Sequence, residues 1–233
     1  MDTFGRSAYS FTPDAIALVG DARLAYIRKV YTYFAFGIAA AVAGSLIAMN
    51  TGLVFFAIQH PFIGLIAFFG MAIFASSSAN NPTRAVPTLV GFTFVSGIII
   101  SPTLYAIAHG YIGGTGPGII YDALFLTSLV FGSLTAYVFI TKKDFSYMGA
   151  SLTIGLFMVI GISLVNLFVQ STTMDLALSA IIVILFSGFI LYDTSRILKN
   201  AHEIPPTLAA LNLYLDFLNL FMAILRLLSR SRD

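Results

Sequence analysis

TLAALNLYLDFLNLFMAILRLL, residues 207–228, is apolar over a length that can cross a bilayer, yet it carries Asn212, Asp216 and Asn219 within it. On a 3.6-residue period those three side chains fall within about 60° of one another, with Ala223 and Arg226 continuing the same stripe. In lipid a polar face has to turn toward other helices. The stretch is therefore expected to be the central helix of a bundle, with the remaining spans packed around it. A second acid, Asp193, lies inside the preceding apolar stretch. An ionisable group at membrane depth costs about 2.5–3.5 kcal/mol on insertion scales, so both aspartates need a partner, an interior or a pathway.

The rest of the chain agrees with a membrane reading. Of 233 residues 58% are apolar and only 9% charged, with a mean hydropathy of +0.93. That is the composition of an all-α integral membrane protein and not of a soluble domain burying one core. The formal charge is +2, and its 12 Lys and Arg are scattered over short segments, so no basic face tracks phosphates and nucleic acid is excluded as an expected partner. No cysteine is present, which removes disulfides, thiolate metal sites and thiol catalysis. The first 29 residues mix Asp2, Asp14 and Asp21 with Arg6, Arg23, Arg28 and Lys29, without a short apolar core and cleavage site, so no signal peptide is expected.

Apolar runs long enough for about 30 Å of hydrocarbon occur near 30–48, 55–76, 86–108, 118–140, 147–169, 175–197 and 207–228. They predict a single seven-helix transmembrane domain over 30–233, preceded by a segment, 1–29, expected in the cytoplasm. Gln59, His60 and Pro61 interrupt the second run, and Pro61 is a favoured first helical position. Pro102 predicts a kink in the third. Arg23, Arg28, Lys29, Arg84, Lys142, Lys143, Arg196 and Lys199 all fall on one side if the amino terminus is cytoplasmic, while the loops 49–54, 109–117 and 170–174 hold no Lys or Arg. Arg226, Arg230 and Arg232 oppose this count, because they follow a seventh span that should end outside. The glycine-rich GYIGGTGPG, 110–118, lacks the GK[ST] ending of a phosphate cradle and reads as a flexible outer loop.

At 1.5 Å per residue, Asp193 lies about 8 Å and Asp216 about 14 Å from the short connection between the sixth and seventh spans. Tilted helices can bring their carboxyls together. Two carboxylates in one low-dielectric site cannot both ionise easily, so the pair is expected to share a proton and to titrate as a unit. Charged, the pair repels, and relief comes from separating the helices or admitting a cation; with a shared proton the helices close. Calcium suits the charged form as a hard cation, with Asp193 and Asp216 as weak, transient ligands and Asn212 or Asn219 as auxiliary carbonyl donors. Two structural alternatives stand beside this reading: Asp193 paired with Arg196 at i,i+3, and Asp216 as a hydrogen-bond hub. Arg84 reads as a counter-ion or latch, or as an ordinary membrane anchor. His60, His109 and His202 show no metal-ligand spacing. Asn166 and Tyr137 read as interhelical hydrogen bonders. No enzyme is expected, since a serine, histidine and acid cluster is missing and Asp216 lies in LYLDFLNLF, without the GxGD of intramembrane aspartyl proteases.

GFILYDTSRILKN (188–200) and LNLYLDFLNLFMAILRLLSRSRD (211–233) resemble the signature of the Bax inhibitor-1 family, also termed the transmembrane Bax inhibitor motif family. TKKD at 141–144 extends the resemblance. SANNPTRAVPTLVGFTF at 78–94 looks like a bacterial branch whose members modulate a membrane-bound ATP-dependent protease. The resemblance implies seven helices with the seventh at the centre, and a di-aspartyl pH sensor at Asp193 and Asp216 governing a calcium leak in a bacterial inner membrane. It departs at two points: no acid lies between Asp21 and Asp122, where leak-type members carry a glutamate on the second helix, and this chain keeps both aspartates, whereas members of the protease-modulating branch can lack the second. The expected function is thus a pH-sensitive calcium or cation leak with no resident cofactor. The rival expectation is a non-conducting regulator of a membrane-bound ATP-dependent protease in envelope stress.

Overall fold

The computed structural model describes residues 13–112, 116–199 and 203–230, with side chains from residue 20 onward. Residues 1–12, the centre of the glycine-rich loop at 113–115, His202 and Arg232 lie outside the described residues. Among the described residues there are eight helices and one 3-10 turn: α1 Pro13–Thr51, α2 Leu53–Gln59, α3 Pro61–Ser78, α4 Ala85–Ala108, α5 Gly118–Thr141, the turn Ser146–Met148, α6 Gly149–Val169, α7 Thr172–Lys199 and α8 Pro206–Arg230. Seven of them are long and apolar enough to cross a membrane, α2 being the exception. The chain is an all-α integral membrane protein, as its composition predicts.

Boundaries follow local chemistry. α1 begins at Pro13, whose missing N–H costs nothing at a first helical position, and runs for 39 residues, about 58 Å. The residues 13–29 assigned to the amino-terminal segment are therefore the first turns of this helix. Gly52 ends it at φ 78°, a left-handed conformation that an L side chain adopts only under strain. The second span is shorter than the apolar run at 55–76, because the chain breaks at His60 and α3 starts at Pro61. α4, in contrast, continues through Pro102. A proline there removes the N–H that would bind the Ile98 carbonyl. The Ser101 hydroxyl takes its place, donating to that carbonyl at 2.7 Å.

α8 is the core of the bundle. Of its membrane-spanning window 67% is buried, against 11–39% for the other six. α1, α3, α4, α5 and α7 pack on it, while α6 packs against α7 and the 3-10 turn. Aliphatic and aromatic residues fill most of the contact, with Leu213, Leu220 and Leu225 fully enclosed. The backbones of α1 and α4 approach each other closely. A Cβ on Gly44 would meet the Phe94 carbonyl, and one on Gly97 would meet the Ala41 carbonyl. Small residues on facing helices allow such contact where no hydrophobic effect drives helices together in lipid.

Polar ties lock both ends. At the end holding the α7–α8 connection, Lys199 pairs with Asp144 at 2.7 Å, Ser195 Oγ accepts the Phe145 amide at 3.0 Å and the Arg23 guanidinium donates to the Leu198 carbonyl. At the far end Asp175 accepts from Asn166 Nδ2 at 3.0 Å and pairs with Arg230 at 3.1 Å. Asn166 is thus the interhelical bonder its position suggests. Tyr137 is exposed on α5, with Lys143 Nζ 6.0 Å from its ring centroid. Arg230, one of the arginines that opposed a seven-span count, is ion-paired across the last two spans.

Candidate functional site

α7 and α8 run antiparallel from a connection of a few residues and pack along much of their length. Asp193 stands six residues before the end of α7 and Asp216 ten residues after the start of α8. Those offsets correspond to about 9 Å and 15 Å along the two axes. The helices close this gap. The side chains of Asp193 and Asp216 face each other, and the Asn212 side chain, one turn before Asp216, also faces Asp193. Both carboxyls are buried, at 7% and 4% exposure. Arg196 reaches Asp193 only at 3.8 Å and stacks over the Tyr192 ring at 5.3 Å. The i,i+3 ion pair considered from sequence is present, and it coexists with the aspartate pair instead of replacing it.

The oxygen chemistry of the pair is incomplete. Asp216 Oδ2 is buried and receives no hydrogen bond from any described protein donor. Its carboxylate neighbour offers only acceptors unless one of the two acids is protonated. A single shared proton would supply the missing donor, the arrangement expected when like charges meet in a low dielectric.

Other sequence candidates do not join this site. Arg84 is exposed in the α3–α4 connection, with its amide donating to Asn81 Oδ1 at 3.2 Å. Asn219 turns its amide onto the Leu215 carbonyl of its own helix at 2.7 Å. The auxiliary polar face therefore reduces to Asn212 and Arg196, because periodicity places side chains around one axis without saying what the neighbouring helix offers them. Among the described residues no three His, Asp or Glu side chains gather closely enough to hold a metal.

Two different surroundings meet at the aspartates. Toward α3, a groove of about 410 Å³ is lined by Ser76, Ser77, Asn212 and Leu215 among others. On the far-end side, Phe34, Phe131 and Phe217 form an aromatic trio with centroids 5.0–5.8 Å apart. Beyond it a cavity of about 270 Å³ between α1, α4, α5 and α8 is lined almost wholly by apolar side chains. Two of its three hydroxyl-bearing lining residues are satisfied elsewhere, Ser45 on the Val42 carbonyl and Tyr214 on Ser96; the third, Tyr121, is exposed.

Residues around Asp144 form a second ionic tie that sequence reasoning left without a role. Lys199 first, and the Ser146 hydroxyl and amide after it, hold the Asp144 carboxyl well below the usual carboxylate range. The signal available was the polar run DTSR beside TKKD, two segments that the fold joins through Ser195.

Comparison with known proteins agrees with this architecture. The family model described as Bax1-I, inhibitor of apoptosis-promoting Bax1, matches residues 23–233. An uncharacterized protein of Campylobacter jejuni is 37% identical over 206 residues, covering 87% of each chain. An uncharacterized membrane protein of Vibrio cholerae is 39% identical over 173 residues, covering 72% of this chain and 75% of its own. The Golgi anti-apoptotic protein of Vaccinia virus (strain Lister) is 32% identical over 213 residues, covering 90% and 86%.

Proposed function

The chain belongs to the Bax inhibitor-1 family, and from that premise and its buried acid pair we propose a pH-sensitive cation leak, with calcium as the permeant ion, gated by the proton that Asp193 and Asp216 share. The observation that carries this reading is the contact of two buried carboxyls on adjacent helices with one oxygen left without a donor. Protonated, the pair ties α7 to α8 and the bundle is closed. As pH rises the shared proton is lost, two negative charges face each other, and separation of α7 from α8 relieves the repulsion. Flux accordingly rises with pH. The groove beside Asn212 gives a cation an approach to the pair, and the apolar far half is the barrier that opening has to breach.

The positive-inside rule supports an orientation with the α7–α8 connection in the cytoplasm, since Arg23, Arg28, Lys29, Arg84, Lys142, Lys143, Arg196 and Lys199 gather at that end. A bacterial inner membrane fits the bacterial relatives. The test is calcium flux into proteoliposomes from about pH 5 to about pH 8, comparing the native chain with Asp216→Asn. Equal, pH-independent flux in both would sink the gating.

One observation favours a second reading. No acid lies between Asp21 and Asp122, so α2, α3 and α4 offer a cation no carboxylate along their length. A non-conducting regulator of a membrane-bound ATP-dependent protease needs none. Its signature is loss of protease co-purification when residues 1–29 are deleted, whereas a self-contained leak retains flux.

A further inference from the structure

Five buried side-chain polar atoms among the described residues lack a hydrogen-bond partner, and all five belong to one half of the bundle. They are Tyr26 Oη, Tyr31 Oη, Thr135 Oγ1, Thr194 Oγ1 and Asp216 Oδ2. Satisfied hydroxyls are the rule elsewhere: Thr127, Thr153, Ser179 and Ser187 each donate to a carbonyl one turn back on their own helix. Thr194 is 0% exposed and directly follows Asp193. The Tyr31 hydroxyl faces both Thr194 and Thr135, so α1, α5 and α7 converge there. None of the three completes a bond of normal length and angle with another. Buried hydroxyls that face one another but stop short of bonding leave each group with unused donor and acceptor capacity, at about 1–3 kcal/mol per unsatisfied group. A water molecule with two to four polar partners removes that cost.

We propose that Tyr31, Thr135 and Thr194 form an internal water-binding site that carries protons between the α7–α8 connection end and the Asp193–Asp216 pair. The proposal rests on the proton-sharing reading of the pair. Tyr26 lies five residues nearer the connection end on α1 and is within electrostatic reach of Arg196, placing another hydroxyl on the outward side of the route. In each passage a hydroxyl or water gives one proton onward and accepts one from behind. The chain of groups ends unchanged, and the carboxylate pair gains a proton that bulk hydronium has lost. On the far side the Phe34, Phe131 and Phe217 trio offers no such group, and of the cavity's hydroxyls Ser45 and Tyr214 are already bonded elsewhere.

Few charged groups compete for this role. α3, α4 and α6 contain no charged residue, and α5 has only Asp122, at its opposite end. α7 presents Arg196 to the pair, and α8 presents Asn212. On α1, Arg23 is committed to the Leu198 carbonyl, and Arg28 and Lys29 are exposed.

Infrared spectroscopy of the full chain in bilayers tests the route without measuring flux. A protonated-carboxyl C=O band that disappears in Asp216→Asn identifies the shared proton, and its isotope shift on transfer to D2O times the exchange. Tyr31→Phe and Thr194→Val, made separately, are expected to slow that exchange by about tenfold or more, while Thr194→Ser, which keeps the hydroxyl, exchanges like the native chain. Ser76→Ala in the α3 groove is expected to change nothing. A band that is present but exchanges at the native rate in both Tyr31→Phe and Thr194→Val overturns the hydroxyl route and leaves the shared proton standing. Slowing by Ser76→Ala alone overturns it in favour of the groove. Absence of the band removes the shared proton and both readings with it.

Discussion

The α1–α4 and α7–α8 seams solve the same problem of holding two helices together in lipid with opposite chemistry. Along α1–α4 the backbones meet through Gly44 and Gly97, and neither helix brings an ionisable side chain into the contact. Along α7–α8 two acids face each other beneath an amide and a distant guanidinium. Packing of small residues has the same energy at every pH, while a carboxyl pair changes from tie to repulsion by losing one proton. On the proposed gating, the first seam is the frame and the second is the moving part.

Breaking the frame gives the largest expected effect. Gly97→Leu drives a side chain into the Ala41 backbone, and overpacking with no room to yield costs about 3 kcal/mol or more; loss of monodisperse protein in detergent is the expected outcome. A frame that tolerates leucine there is not a backbone contact. Asp193→Asn comes next. Thermal unfolding of the native chain should lose stability as pH rises through the range where the pair gives up its proton, and the variant should show a flat profile. The sign follows from the proton: bound, it stabilises the closed pair, so stability is full at the acid side and falls on the alkaline side.

Smaller still is Ser101→Ala, which leaves the Ile98 carbonyl, already without its usual N–H because of Pro102, with no donor. A loss of about 1 kcal/mol is expected, read as a lowered melting temperature with unchanged pH dependence. The least effect belongs to Asp144→Asn. Its ion pair with Lys199 is exposed, and because the carboxyl is held below the usual range, the contact is intact at neutral pH and lost only on strong acidification. The pH midpoint of any flux or unfolding transition near neutrality should stay where it is, and movement would transfer the sensor from the buried pair to the surface.

Much of this arrangement was legible because lipid makes polar residues expensive. Runs of about 20 apolar residues located the seven spans, and a polar stripe on one of them placed α8 at the centre. The same cost singled out Asp193 and Asp216. Helical periodicity then reached its limit: it grouped Asn219 with Asp216 by angle, yet the Asn219 amide is satisfied within its own helix, and Arg84 stays in an exposed connection. The α1–α4 seam was invisible for another reason. Alanine occurs in every span of this chain and glycine in all but α8, and only the pairing of helices tells which of them touch. Tyr31, Thr135 and Thr194 are likewise ordinary residues until the fold carries them from three distant stretches into one layer.

During synthesis α7 enters the bilayer ahead of α8, so Asp175 is in place before Arg230 leaves the ribosome. On the proposed orientation Arg230 has to be translocated, against the bias that retains basic residues on the side of synthesis. The 3.1 Å bond it forms with Asp175 gives the last helix a counter-charge waiting at its destination. On that orientation the final span would finish its crossing by docking onto its predecessor, drawn by an ion pair within the chain itself.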